Sequence, residues 1–394
     1  MLGVDTDAEL GFIPAVRTTT PTDVTDALPD RWTLDAIADD AARVTESELI
    51  DRRDALRMAA VGGAALLGPL AGWVEPLTAG ALAARSGAFS TAEVEARETL
   101  VGAFREWRSA GLGRTAVVGQ LADVAERLRS APAGPLTDRV FVAGAELAKI
   151  AGSMAFDAGA HHAAQQNYVT AARMAKAGNN TVFGAVALAA LARQSFDLGA
   201  ADDGLQIVHL AQRGTRTNGT PRLRAMLATR EAWAHAQLGD VRRFRHAAEE
   251  AEEAHGTGAV SEEPHSLRGF DGAELLGTIG ARYRDLARHD PRQAPGAVDY
   301  LSRALQMRDP ARARNRAFDL VALGRAQLIT GEPDRSAASV QGALSHLDPH
   351  RPTRLHRKLH EWHGEAAPFA TVPSIGDARV RVVDALHVSG SATA

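Results

Sequence analysis

Glycine returning at a fixed phase constrains this chain more than any other feature. Ala158-Gly159-Ala160, Leu198-Gly199-Ala200 and Leu238-Gly239-Asp240 recur at a spacing of 40 residues, and Thr330-Gly331-Glu332 stands in the same setting downstream. Seven positions before the four glycines stand Gly152, Ala192, Ala232 and Gly324; twelve positions after them stand Ala171, Ala211, Ala251 and Ala343. Each tripeptide closes one alanine-rich run and opens another. Glycine enters the left-handed backbone region without the clash a Cβ brings, so it suits the residue just past a helix C-terminus. Small residues at one phase let two helices approach closely. The pattern predicts repeated helical hairpins, each burying its face on the next, with Gly159, Gly199 and Gly239 in equivalent turns. Alanine, the best intrinsic helix former, supplies about a fifth of the 394 residues, as such a fold needs.

This register resembles that of the tetratricopeptide family, most closely over 145–177, where Ala164, Tyr168 and Ala171 take consensus-like positions. The period is longer than the family's usual value of about 34 residues. The expected fold is all-α, a tetratricopeptide-like solenoid of helical hairpins. At roughly 150 residues per domain the length fits two or three domains or one long array. Residues 1–31, with Pro14, Pro21, Pro29 and many aspartates, read as an extended acidic arm. Residues 32–135 read as an N-terminal helical region, opening with a helix over Thr33–Glu48 that buries Trp32, Leu34, Ile37, Ala41 and Val44. Within it, Ser90 and Glu93 have capping-box spacing. Residues 136–394 read as the repeat array. There 268–306 forms a further hairpin, and helices over 353–367 and 376–388 close the end, because a terminal repeat has an unpaired apolar face.

The absence of cysteine excludes disulfides, Cys-ligated metal and thiol catalysis. A net charge of -4 carries no global basic footprint for nucleic acid. The sequence has no phosphate loop, no nucleophile elbow and no His-Glu-x-x-His pair, so no catalytic residue, metal site or cofactor is assigned and the chain is not expected to be an enzyme. His356, His360 and His363 share one helix face, a spacing that can hold metal, but a solvated face beside Arg351, Arg354 and Arg357 is the preferred reading. Arg308, Arg312, Arg314 and Arg316 form another basic patch, with Asp309 and Asp319 close by in sequence.

The first helices of stacked tetratricopeptide hairpins line the concave side. The register puts Lys149, Ser153, Phe156 and Asp157 there from one unit, Arg193, Phe196 and Asp197 from the next, and Trp233 and Gln237 from a third. The Phe-Asp pair repeats at 156–157 and 196–197. The candidate groove is therefore Lys149, Phe156, Asp157, Arg193, Phe196, Asp197 and Trp233, suited to a peptide, small molecule or protein partner. The competing reading packs the two phenylalanines between neighbouring helices.

Arg52-Arg53 followed by a mostly apolar run to Trp73 has two readings. One is a twin-arginine export signal, which would make the chain an exported tetratricopeptide scaffold. The other, preferred because some 50 residues, rich in acidic side chains, precede the pair, is an internal helix over Arg52–Trp73. In that helix Leu56, Ala60, Ala64 and Leu67 would pack against the helix beginning near Ala92. Its length and its Gly and Pro content do not suit a membrane span.

Four stretches resemble actinobacterial helix-turn-helix transcriptional regulators of the xenobiotic-response-element type. They are Leu2 to Phe12; Asp51 to Leu56 with Pro69 to Trp73; Arg308-Asp309-Pro310 with Arg316 to Leu320; and Asp377 with Val383. The resemblance covers nearly the full length. It implies a cytoplasmic regulatory module, open to homodimerisation, that binds its ligand through the repeat array. The family's DNA-binding domain would precede Leu2, so direct nucleic-acid binding is not expected of these residues, nor is membrane association.

Overall fold

The computed structural model describes residues 31–50, 59–77, 87–110, 113–257, 264–347 and 354–391. Among these residues the chain is all-helical, with sixteen α-helices packed in adjacent pairs and no strand. It divides into two compact units, Val16–Leu223 and, for its main part, Arg224–Ala394. The expected N-terminal arm lies outside the described residues, save Arg31.

The first unit contains α1 (Leu34–Ile50), α2 (Ala64–Leu67, running into a 3-10 turn over Gly68–Trp73), α3 (Thr91–Ala110), α4 (Arg114–Arg129), α5 (Pro135–Asp157), α6 (His161–Ala177), α7 (Thr181–Asp197) and α8 (Ala201–Gly214). The boundary falls within α9 (Pro221–Gln237). The second unit continues with α10 (Val241–Gly256), α11 (Gly272–Leu286), α12 (Ala294–Met307), α13 (Ala313–Ile329), α14 (Pro333–Leu344), α15 (Arg354–Glu365) and α16 (Pro373–Ser391).

The glycine turns stand where the sequence puts them. Gly159, Gly199, Gly239 and Gly331 have φ of 79, 80, 73 and 76°. In each turn the next residue's N–H returns to the carbonyl five residues back: Ala160 to Ala155 at 2.9 Å, Ala200 to Ser195 at 2.9 Å, Asp240 to His235 at 2.9 Å and Glu332 to Gln327 at 2.8 Å. This is the Schellman closure, which satisfies carbonyls a helix end leaves open. The same turn also joins α6 to α7, with Asn179 at φ 55° and Asn180 N–H on Ala175 O at 2.8 Å. Asn180 then caps α7 by accepting from Phe183 N–H at 3.0 Å. Asn tolerates the left-handed region, so the glycine pattern marks only alternate turns.

Small residues bring the paired helices together. A Cβ on Gly152 would stand 3.0 Å from the Tyr168 ring, and one on Gly324 would stand 2.9 Å from Val340. In the 268–306 hairpin Gly280 does the same for Leu301, at 2.8 Å. The capping box opens α3: Glu93 N–H donates to Ser90 Oγ at 3.3 Å and Ser90 N–H to Glu93 Oε2 at 2.9 Å. In the second unit α15 and α16 lay Leu355, Leu359, Trp362, Ile375, Ala378 and Val382 over the apolar faces of α13 and α14. The buried Trp362 indole donates to Ser336 Oγ at 2.9 Å.

The segment before α3 differs from expectation. Of the helix expected over Arg52–Trp73, residues 52–58 lie outside the described residues, and 59–63 are not helical. Gly63 at φ 56° and Gly68-Pro69 interrupt what a continuous helix would need. Leu66, Pro69, Leu70 and Trp73 are its buried residues, while Ala64 is exposed. Its partners are α6, α7 and α8. No helix among the described residues is long and apolar enough to cross a membrane.

Candidate functional site

The expected groove residues fall into two groups. In the first unit α5 and α7 are neighbours, and Lys149, Asp157, Arg193 and Asp197 are half-buried on them. The Arg193 guanidinium lies over the Phe156 ring, 5.6 Å from its centroid. Burial works against the Arg193 charge, but Tyr168, Asp197 and Asp157 more than offset it and raise its affinity for the proton. The structure thus brings Phe156, Asp157, Arg193 and Asp197 together around one cation.

Phe156 and Phe196 are each only 1% exposed, which corrects their expected role as groove anchors. Both are packing residues. The Phe196 ring lies where a Cβ on Gly204 of α8 would be, 2.2 Å away, so the missing side chain makes its slot. Phe156 packs against the His161 ring at 5.7 Å. Trp233 belongs to the second unit and is 7% exposed, with the Arg282 guanidinium 3.4 Å from its ring centroid.

What the sequence left unassigned is a length of chain already docked on the hairpins. Residues 59–77 run along α6 and α8, and the contacts are mostly from side chains to main chain. The Gln165 carboxamide takes both polar groups of Val61: Val61 N–H donates to Gln165 Oε1 at 2.9 Å, and Gln165 Nε2 donates to Val61 O at 2.8 Å. Asp203 Oδ2 accepts from Gly63 N–H at 2.9 Å, at the N-terminal end of α2. At the other end Lys176 Nζ donates to Trp73 O at 2.8 Å and also to the carbonyls of Gly72 and Glu75. A carboxylate at the start and an ammonium at the end complement the dipole of this short helical run, which is too short to persist alone. Burial pushes the Lys176 ammonium down to about 8.

Trp73 anchors the docked stretch. Its ring fills the space of two absent side chains: a Cβ on Gly184 would come within 2.3 Å of it, and one on Gly214 within 2.2 Å. Trp32 uses Gly72 in the same way, at 2.2 Å, and carries Lys176 and Arg173 over its face at 4.8 and 5.1 Å. Arg173 in turn pairs with the buried Asp40 of α1 at 3.0 Å. The usable sequence signal was α6 itself. His162, Gln165, Asn167, Thr170, Arg173 and Lys176 are all buried polar residues on this one helix, and buried polar groups need partners.

The other candidate groups are structural. Arg308 of the basic patch is buried, donating to Asp319 at 2.6 and 2.9 Å and to Glu274 at 2.7 Å. Of the three histidines on α15, His356 is buried, which corrects the solvated reading for that residue. Burial pushes His363 down to about 4, with Arg379 and His360 adding to the shift. Among the described residues no group of His, Asp and Glu is placed to hold a metal ion. No protein-family model matches the chain, and no curated protein matches it.

Proposed function

We propose that the chain is a tetratricopeptide-like solenoid serving as the binding and regulatory module of a cytoplasmic transcriptional control system. The observation that carries this reading is the docking of residues 59–77 on α6, α7 and α8 through Gln165, Lys176 and Asp203. Side chains that read main-chain N–H and C=O groups accept many sequences, and one aromatic anchor in a small-residue slot supplies registration. Such a surface suits a peptide or a segment of a partner protein. The transcriptional role rests on the resemblance of Arg308–Pro310, Arg316–Leu320 and the other stretches to helix-turn-helix regulators. Docking of Gly72 and Trp73 within the fold favours this reading over the export signal, whose cleavage would remove them.

A fluorescently labelled peptide of residues 59–77, titrated into the full chain, tests the module. Weak binding to the wild-type protein and stronger binding to Trp73→Ala, lost again when Lys176→Met is added, is expected. No binding to any of the three proteins contradicts the reading. Transcript profiles of the source organism with and without the gene test the regulatory role, and unchanged profiles contradict it.

A further inference from the structure

On the first helices of three successive hairpins in the second unit, charged side chains converge. Helix α11 brings Arg282, Arg284 and Asp285, α13 brings Arg325, and α15 brings Lys358, Glu361 and Glu365. The carboxylates are already engaged. Glu365 takes a two-pronged contact from Arg325, whose third nitrogen goes to Glu361. Glu361 also accepts from Lys358 at 3.0 Å. Asp285 alone serves both Arg282, at 3.0 Å, and Arg284, at 2.7 Å. With Arg357 3.9 Å from Glu361, five cations therefore share three carboxylates.

The excess charge is buried. The Arg284 side chain is 5% exposed and that of Arg325 is 2% exposed. Arg282 Nε and Arg284 Nε are buried donors with no hydrogen-bond acceptor in the protein, and Arg282 Nη1 has only its ion-pair contact with Asp285. A guanidinium keeps its charge even when buried, so donors without acceptors are a standing cost. Burial, with Arg325 and Arg282 close by, lowers Arg284 to about 10. The Trp233 ring, stacked on Arg282 at 3.4 Å, adds a flat apolar wall beside these donors.

We infer that Arg282 and Arg284, backed by Arg325 and walled by Trp233, form a binding site for an oxyanion, the carboxylate or phosphate group of a small effector. The planar guanidinium fork matches either oxyanion in two-pronged geometry. The anion would complete the charge balance and accept from the orphaned Arg282 and Arg284 nitrogens. Glu361 and Glu365, about a third exposed, mark the solvent-facing side of the cluster. This site uses different residues from the peptide surface of the first unit and stands or falls independently of it.

Calorimetric titration of the full chain with inorganic phosphate, and separately with acetate, at constant ionic strength tests the site. Saturable binding of at least one is expected: phosphate alone points to a phosphorylated effector, acetate alone to a carboxylate, and both to a general oxyanion seat. Arg284→Gln should weaken binding by about tenfold or more. Glu365→Gln should strengthen it several-fold, because Arg325 is then released to the anion. That second variant keeps the proposal falsifiable if Arg284→Gln does not fold. Absence of saturable binding by both anions overturns the proposal, as does an affinity unchanged in Glu365→Gln.

Discussion

At the scale of single residues, the absence of side chains shapes the packing as much as their presence. Gly184 and Gly214 stand in or at the end of helices, where alanine would gain up to about 1 kcal/mol of helix propensity. Each is also where the Trp73 ring lies. We expect Gly184→Ala and Gly214→Ala to destabilise the protein, since overpacking costs about 1–3 kcal/mol. Denaturant unfolding reads this directly, and a gain in stability would show that Trp73 is not seated there. Phe196 and Arg193 separate in the same way. Phe196→Ala is a core truncation, expected to cost about 3–5 kcal/mol. Arg193→Ala removes a half-buried cation from beside Asp157 and Asp197, and its unfolding midpoint should fall less. Sequence reasoning placed Phe156, Asp157, Arg193 and Asp197 near one another because equal phase in stacked hairpins implies proximity. It could not tell the groove side from the neighbour side, because a helix packed between others is buried on more than one face.

At the scale of elements, the hairpin turns were the most legible feature, because a left-handed residue is a local demand. Asn179 escaped notice since only its backbone, and not its residue type, repeats the glycine signal. At Gly159, Gly199 and Gly331 nothing stands within 4 Å of a would-be Cβ, so alanine there meets only backbone strain. Each substitution should cost about 1–2 kcal/mol, and the three should add. A neutral effect at all of them would contradict the turn geometry. Residues 59–77 were the least legible element. Their clamps come from Gln165, Lys176 and Asp203, roughly 100 to 140 positions away, and periodicity carries no information about partners at that separation. Gly62, Gly63, Gly68, Pro69 and Gly72 did signal a broken helix, yet the apolar run between them reads as a continuous one.

At the scale of the whole molecule, His363 works to lower stability on mild acidification, against Asp319, which burial pushes up to about 7 and which works the other way. His363 titrates at about 4 in the folded chain against an ordinary value of 6.5, chiefly because it is buried. Between those values this group binds more protons in the unfolded chain, so its contribution to stability drops as pH falls from 6.5 toward 4. His363→Gln should remove that contribution from the pH profile, and an unchanged slope would contradict the burial of this ring. The central claim is that the hairpins of α6, α7 and α8 recognise main chain. Amide hydrogen exchange of the full chain tests it most directly. The account predicts slow exchange at the Val61 and Gly63 amides, with Val61 protection lost in Gln165→Ala and Gly63 protection lost in Asp203→Ala. Exchange at both amides as fast as in an unfolded peptide, in the wild-type protein, would contradict it.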